Sequence, residues 1–297
     1  MVDAVVDVKD LRYSYSGASA LCQRCGGHRA AAIDGLSLTI ARGQRLAILG
    51  ANGAGKSTLL QLLNGTLHST GGTVFLDGLP TDYTQNGLLQ WRQKVGLVFQ
   101  NPDDQLFAAT VYQDISYGPL NLGLSETEVR SRTDEALSLL GIANLADSPV
   151  HMLSGGQRKR AAIAGIMAMR PEVLILDEPT AGLDASGSIQ FLAFLDQLSA
   201  RGTTVVLAVH DTDLALTWAD EVAVLMHGRV VRQGAPQEVL FDQEFLTMAH
   251  LRMPLVLEGW RLATRLFGVA SSARPPRTME QLFRLLPGGL SVSSEAV

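Results

Sequence analysis

Along the chain, short unbroken apolar runs alternate with longer stretches in which apolar residues recur every three or four positions. The runs within Gln44–Leu49, Val173–Leu176 and Thr203–Val209 have the length of strands buried on both faces and fall far short of the roughly 20 residues that a membrane span requires. Thr73–Leu76 and Val95–Phe99 predict two further strands. Helical spacing follows in Ser57–Leu63, in the stretch opened by the capping box Ser125-Glu-Thr-Glu128 and stopped near Gly141, in Gly156–Met169 before Pro171, and in Ser186–Leu198. Glu221–Val231 reads as a hairpin turning at His227-Gly228. Strands alternating with helices, without an internal repeat, predict an α/β fold around a largely parallel sheet.

The pattern changes near residue 243. Gln243–Phe267 is strongly apolar, and Pro254 divides it into two helical pieces. Ser271–Pro276 reads as a linker, Thr278–Leu286 as a short amphipathic helix, and the Ser-rich end as a disordered tail.

Composition narrows the function classes. A chain of 297 residues, 46% of them hydrophobic, has room for one large domain with an appendage. The charge of 24 − 29 = −5 argues against a protein held on nucleic acid by bulk charge. Two cysteines cannot build a disulfide scaffold. Met1–Asp7 has neither a basic n-region nor a long apolar h-region, so no signal peptide is expected.

Between the strand ending at Leu49 and the helix at Ser57 lies Gly50-Ala-Asn-Gly-Ala-Gly-Lys-Ser-Thr58, which fits G-x-x-x-x-G-K-[ST] in the strand–helix setting that this motif requires. Its glycines let successive N–H groups turn inward as an anion nest, and the following helix adds its positive end. Asn52, Gly53, Ala54, Gly55, Lys56, Ser57 and Thr58 are the candidate nucleotide-binding residues, with Lys56 for the β- and γ-phosphates and the Ser57 hydroxyl for magnesium. The chain has only four lysines, which makes a chance match in this context rare. Downstream, Leu174-Ile-Leu-Asp-Glu178 ends an apolar strand in two carboxylates. Alone they could be solvated acids at a strand end. With the phosphate cradle upstream, Asp177 suits a magnesium ligand and Glu178 suits the group that orients or deprotonates an attacking water. The pair predicts an ATPase. Leu153-Ser-Gly-Gly-Gln157 then offers a second phosphate-facing helix start at Ser154, Gly155, Gly156 and Gln157, or simply a Ser-capped helix.

Taken together, these motifs resemble those of the ATP-binding cassette (ABC) ATPases. Gly50–Thr58 resembles the Walker A motif, Gln100 the Q-loop, Leu153–Gln157 the signature, Leu174–Glu178 Walker B, Ala181-Gly-Leu-Asp184 the D-loop and His210 the switch histidine, in the family's order over roughly residues 4–240. The resemblance implies an α/β P-loop NTPase (RecA-like) core with an antiparallel β subdomain and an inserted α-helical subdomain. That places an ATPase domain at 1–242, its helical subdomain at about 101–168, and a small C-terminal helical extension at 243–297. It further implies ATP with magnesium, and two cassettes packed head to tail so that the signature of one meets the nucleotide of the other. Gln100 would touch magnesium or the lytic water, His210 the γ-phosphate, and Asp184 would reach across the dimer. Tyr15, with Tyr13 second, is the candidate to stack on adenine, and a core aromatic is the alternative.

Gln100–Phe107, Tyr117–Leu124, Ala162–Arg170, Leu251–Leu255 and Pro276–Leu282 resemble the energy-coupling-factor group, and within it the CbiO-type ATPases of cobalt importers. This implies a peripheral subunit on the cytoplasmic face of the membrane that dimerises on ATP and drives uptake of a small nutrient, foremost cobalt ion. Its partners would be a second copy of itself or a paralogous ATPase, a transmembrane scaffold subunit seated on Asn101–Leu124, and a substrate-capture membrane subunit, with no nucleic acid. A soluble cassette that switches nucleic-acid or ribosome complexes is the alternative; one cradle, no long heptad run and a negative charge stand against it. The chain departs from the family between Tyr15 and Ile33, where a long insertion carries Cys22, Cys25 and His28. These are three soft ligands where a structural zinc site wants four, so a surface insertion with reduced thiols is expected there, with a cobalt- or zinc-sensing loop as the alternative.

Overall fold

A computed structural model describes residues 3–15, 31–267 and 274–286. The insertion with Cys22, Cys25 and His28, and the Ser-rich end, lie outside the described residues. Strands and helices are numbered in chain order. β1 (Ala4–Tyr13) pairs antiparallel with β2 (Ile33–Ala41) on one side and with β4 (Gly71–Leu76) on the other, and β4 turns back into the short β5 (Leu79–Pro80). This is the antiparallel layer. The second sheet runs β10 (Arg229–Gly234), β9 (Glu221–Met226), β3 (Arg45–Leu49), β8 (Thr204–Val209), β7 (Val173–Asp177), β6 (Val95–Val98), parallel throughout except for the β9–β10 hairpin.

Period-two alternation divides the central strands between two cores. Leu46, Ile48, Val173, Ile175, Val206 and Ala208 face the antiparallel layer and α1 (Lys56–Leu63). Their neighbours Ala47, Leu49, Leu174, Leu176, Val205 and Leu207 face the opposite core, with α3 (Val111–Asn121), α5 (Gly155–Met167) and α6 (Ala185–Ala200). Both faces are covered, so these strands read as unbroken apolar runs rather than alternating ones.

Most of the expected elements form within a residue or two of their predicted limits, but the hairpin expected to end at Val231 runs on to Gly234, and the first helical piece after residue 243 stops at Met248. β1 is harder to read because its alternation breaks: the register shifts between Val8 and Leu11, where Asp10 takes a φ of 46°. In β2, Leu36, Leu38 and Ile40 do alternate inward, and that is the signal from which it can be found. The capping box at Ser125 forms by half. Ser125 Oγ accepts from the Glu128 N–H, at the start of α4 (Glu126–Leu139), but the Glu128 carboxylate takes Arg132 at 2.8 Å instead of reaching back. An ion pair one turn along outcompetes a neutral backbone donor. The complete boxes lie elsewhere, at Thr110/Gln113 and Ser154/Gln157.

After β10 the chain continues through α8 (Pro236–Val239), α9 (Gln243–Met248), α10 (Leu255–Phe267) and α11 (Met279–Leu285), with Pro254 at the break as expected. This extension shares the core of the sheet: Leu257, Trp260 and Leu282 belong to the same apolar cluster as Leu207, Leu216 and Trp218. Trp260 is 2% exposed. Trp260→Ala is expected to cost about 3–5 kcal/mol, the range for emptying a large aromatic site, and urea unfolding of the full chain checks it; a loss below about 1 kcal/mol would mean that the extension is not part of this core.

Candidate nucleotide-binding and catalytic site

The ends of β3, β7 and β8 converge at one edge of the parallel sheet, and the predicted chemistry follows directly from each. The cradle loop leaves β3 and enters α1 through Gly55, whose φ of 107° is open to glycine alone. Lys56 is buried, and its ammonium donates to the Gly50 carbonyl at 2.6 Å, so the loop closes on its own lysine. The β9–β10 turn braces the loop from outside: the Gly228 N–H donates to Ala54 at 3.0 Å, and the Asp34 N–H donates to Gly228 at 3.0 Å.

Tyr15, Asn52, Gly53, Gly55, Lys56, Ser57, Thr58, Gln100, Asp177 and Glu178 line one cleft of about 320 Å³. Tyr15 is 49% exposed, its hydroxyl lies 3.1 Å from Thr58 Oγ1, and Tyr13 meets its ring edge-on at 4.9 Å. Its ring therefore sits at the rim as an available apolar face. Burial pushes the Asp177 carboxyl above the ordinary carboxylate range, an effect that the Ser57 hydroxyl and the Lys56 charge oppose. That donor set is all oxygen, a buried carboxylate beside a hydroxyl, and it fits a hard divalent cation such as magnesium.

Next to it a second cleft of about 590 Å³ joins Gly50, Asn52, Gln100 and Glu178 to His210 and to His250, Leu251 and Arg252 of the extension. Glu178 is buried at a φ of 47°, and its carboxylate accepts from His210 Nδ1 at 2.8 Å. When the Glu178 carboxylate is ionised it only accepts, which puts the donor proton of this pair on Nδ1. Lys159 steadies the same turn, donating to the Glu178 carbonyl at 3.2 Å and to the Ala181 carbonyl at 2.8 Å, and its burial lowers its pKa against the pull of Glu178. The motifs do not announce these neighbours of the candidate site, because Lys159 reaches the turn of Glu178, and His250 and Arg252 the second cleft, only through the fold.

Ser154, Gly155, Gly156, Gln157 and Asp184 line neither cleft. Ser154 caps α5 and exchanges hydrogen bonds with Gln157, while the Asp184 carboxylate caps α6 through the Gly187 N–H at 2.6 Å. Within one chain the signature helix start therefore lies outside both clefts.

With this geometry in place, similarity decides the family. The sequence matches the ABC transporter family over residues 33–181. The chain belongs to the ABC transporter ATP-binding family. It is 53% identical over 259 residues to the cobalt import ATP-binding protein CbiO of Rhodobacter capsulatus, covering 86% of this chain and 92% of that protein. The energy-coupling factor transporter ATP-binding protein EcfA of Methanocaldococcus jannaschii is 44% identical over 252 residues, 85% of this chain and 86% of its own. Among solved structures, cbiO1 of Clostridium perfringens, part of the ABC transporter complex cbiONQ, superposes with a TM-score of 0.71 at 43% identity, covering 87% of this chain and 99% of that one. A dimeric bacterial ABC transporter cassette does so with 0.69 at 28%, covering 78% and 98%. The cassette is thus an ATP-binding ATPase of the energy-coupling-factor and CbiO type, whose hydrolysis is coupled to transport. Among its described residues, no helix is long and apolar enough to cross a membrane.

The brace at Gly228 can be tested directly. A Cβ there would meet the Ala32 carbonyl oxygen at 2.6 Å at a φ of 73°. Gly228→Ala is expected to cost about 1–3 kcal/mol in urea unfolding and to weaken binding of a fluorescent ATP analogue as the turn withdraws from Ala54; unchanged stability and affinity would show that the turn does not hold the loop.

Proposed function

We propose that this cassette dimerises on ATP to power uptake of a small nutrient, foremost cobalt ion, as the peripheral ATPase of a membrane complex. The observation that carries the reading is the meeting of cradle, Gln100, Asp177, Glu178 and His210 around adjoining clefts while the signature helix start lies outside both. One chain supplies half of what phosphoryl transfer requires, and a second copy packed head to tail supplies Ser154–Gln157 for the other half. Asp184, at the cap of α6, then lies toward the seam. A homodimer is favoured over pairing with a paralogue because every motif is intact here.

In this reading Glu178 orients the attacking water and takes its proton, while the buried Lys56 and the cradle N–H groups meet the charge on the transferring phosphoryl. Ser57, Asp177 and Gln100 would hold magnesium, which when bound neutralises phosphate charge. His210, with Nδ1 within hydrogen-bond distance of the Glu178 carboxylate, holds that carboxylate in place and would contact the γ-phosphate. Tyr15 stacks on adenine from the rim.

The domain division at 242/243 belongs to the same reading, with the extension packed into the core of the cassette. The membrane-facing surface would be the helical region after Gln100. There Phe107, Tyr117 and Leu120 are exposed, Phe107 by 65%, and the first two stack edge-on at 4.7 Å, while Leu106, Val111 and Ile115 turn into the core. An apolar patch standing over a packed helix supports a seat for the coupling helices of a transmembrane scaffold subunit, which in turn would carry a substrate-capture subunit. Attachment there would hold the ATPase at the cytoplasmic face of the membrane. Cobalt is inferred from relatives such as the Rhodobacter capsulatus protein.

Glu178→Gln is expected to lower ATP turnover by about 10²–10⁴, the range for a lost general base, and to accumulate an ATP-bound dimer in size-exclusion chromatography. Undiminished turnover, or a variant that stays monomeric with ATP, would defeat the assignment. For the cargo, purification with native membrane partners followed by ATP-dependent uptake of radiolabelled cobalt into vesicles separates cobalt from nickel or a vitamin.

A further inference from the structure

One helix of the cassette is gripped at both ends by the extension. His210 is the single residue between β8 and Asp211, and Asp211 is the N-cap of α7 (Thr212–Trp218), accepting from the Asp213 and Leu214 N–H groups at 2.9 and 3.1 Å. A strand locked in the sheet and a capped helix thus meet at one residue. Any shift of α7 must be absorbed by the backbone of His210 and Asp211, because neither flanking element has slack.

At the start of α7, the Asp213 carboxylate accepts the Leu255 N–H at 2.8 Å, fastening it to the first turn of α10. At its end, the Arg277 guanidinium, just ahead of α11, donates to the carbonyls of Leu216 at 2.8 Å, Thr217 at 3.3 Å and Ala219. These carbonyls belong to the last turn, where intrahelical donors run out and a cation is favoured. Between the two fastenings, Ala215, Leu216 and Trp218 pack in one core with Leu257, Trp260 and Leu282. The same corner sends His250, Leu251 and Arg252 into the cleft that His210 lines.

We propose that the C-terminal extension sets the position of His210 through α7, with Arg277 and Asp213 as positioning residues for hydrolysis. This rests on the reading of His210 as part of the catalytic machinery. Arg277 lines neither cleft, so it acts on the reaction only through the helix that it holds, whereas Asp213 also lines the cleft beside His210, which makes Arg277 the deciding position. Movement of the extension is thereby transmitted to the γ-phosphate side of the site, while the cradle, braced separately by the β9–β10 turn, keeps its grip on nucleotide.

The test uses the full chain with ATP and magnesium, comparing Arg277→Ala, Arg277→Lys, Asp213→Ala and Asp213→Asn for kcat, KM, binding of a fluorescent ATP analogue and melting temperature. Arg277→Ala is expected to lower kcat about tenfold with KM and analogue affinity within twofold of the parent. Lysine restores most of it, since an ammonium still donates to the carbonyls. Asp213→Ala gives the same split, and Asn, which still accepts the Leu255 N–H, restores it. His210→Ala is the control: if it leaves kcat unchanged, the catalytic reading itself fails. If His210→Ala lowers kcat while Arg277→Ala and Asp213→Ala leave it unchanged, or lower turnover and nucleotide binding in parallel with melting temperature, the extension is only a structural support and the proposal is overturned.

Discussion

The backbone ladders of the parallel sheet are the constraint on which the site depends. Leu49 pairs with Val209, and Asp177 with Ala208, so the residues that follow, Gly50, His210 and Glu178, emerge side by side at one edge. Parallel strands leave no choice here: their carboxyl ends point the same way, and the hydrogen bonds set their relative height. The Glu178 N–H still bonds back to Ala208 at 2.9 Å, which carries the sheet's order one residue past the strand and into the catalytic turn. The sharp φ of Glu178 is tolerated because that bond, the two Lys159 contacts and the His210 contact all hold it.

Burial both supports and strains this edge. The strands that end here are almost wholly inaccessible, and this makes the scaffold rigid enough to aim a carboxylate and a histidine at one point. The same burial makes the charge on Asp177 expensive in the free protein, and the hydroxyl of Ser57 and the ammonium of Lys56 offset it only in part. The extension adds a layer to this edge, since it packs into the core under α7 and also contributes to the wall of the cleft.

Much of this was legible beforehand. The cradle, the acidic strand end and the signature are contiguous segments with characteristic spacing, so Gly50–Thr58, Asp177 and Glu178 could be proposed as site residues from order alone. Gln100 and His210 needed the family resemblance, because a single glutamine or histidine after an apolar strand has no local signature. The antiparallel layer was less legible: the shift at Asp10 breaks the alternation of β1, and its pairing with β2 spans an insertion. Glu128 misled for a related reason, because its sequence neighbour Ser125 predicts a reciprocal cap, whereas Arg132 and Arg170 compete for its carboxylate in space.

The sequence by itself determined which residues form the candidate phosphate cradle, since a backbone nest, its lysine and its hydroxyl must be neighbours in the chain to be neighbours in space. It also determined the buried sheet, because only strands covered on both faces can be apolar at every position. What the tertiary structure alone decided was how distant groups meet: that Lys159 holds the turn of Glu178, that the hairpin at Gly228 braces the cradle, and that Arg277 holds the end of the helix that follows His210. Such contacts join residues nineteen or more positions apart and depend on packing and on hydrogen-bond competition, and neither leaves a periodicity or a spacing for a reader of the chain to find.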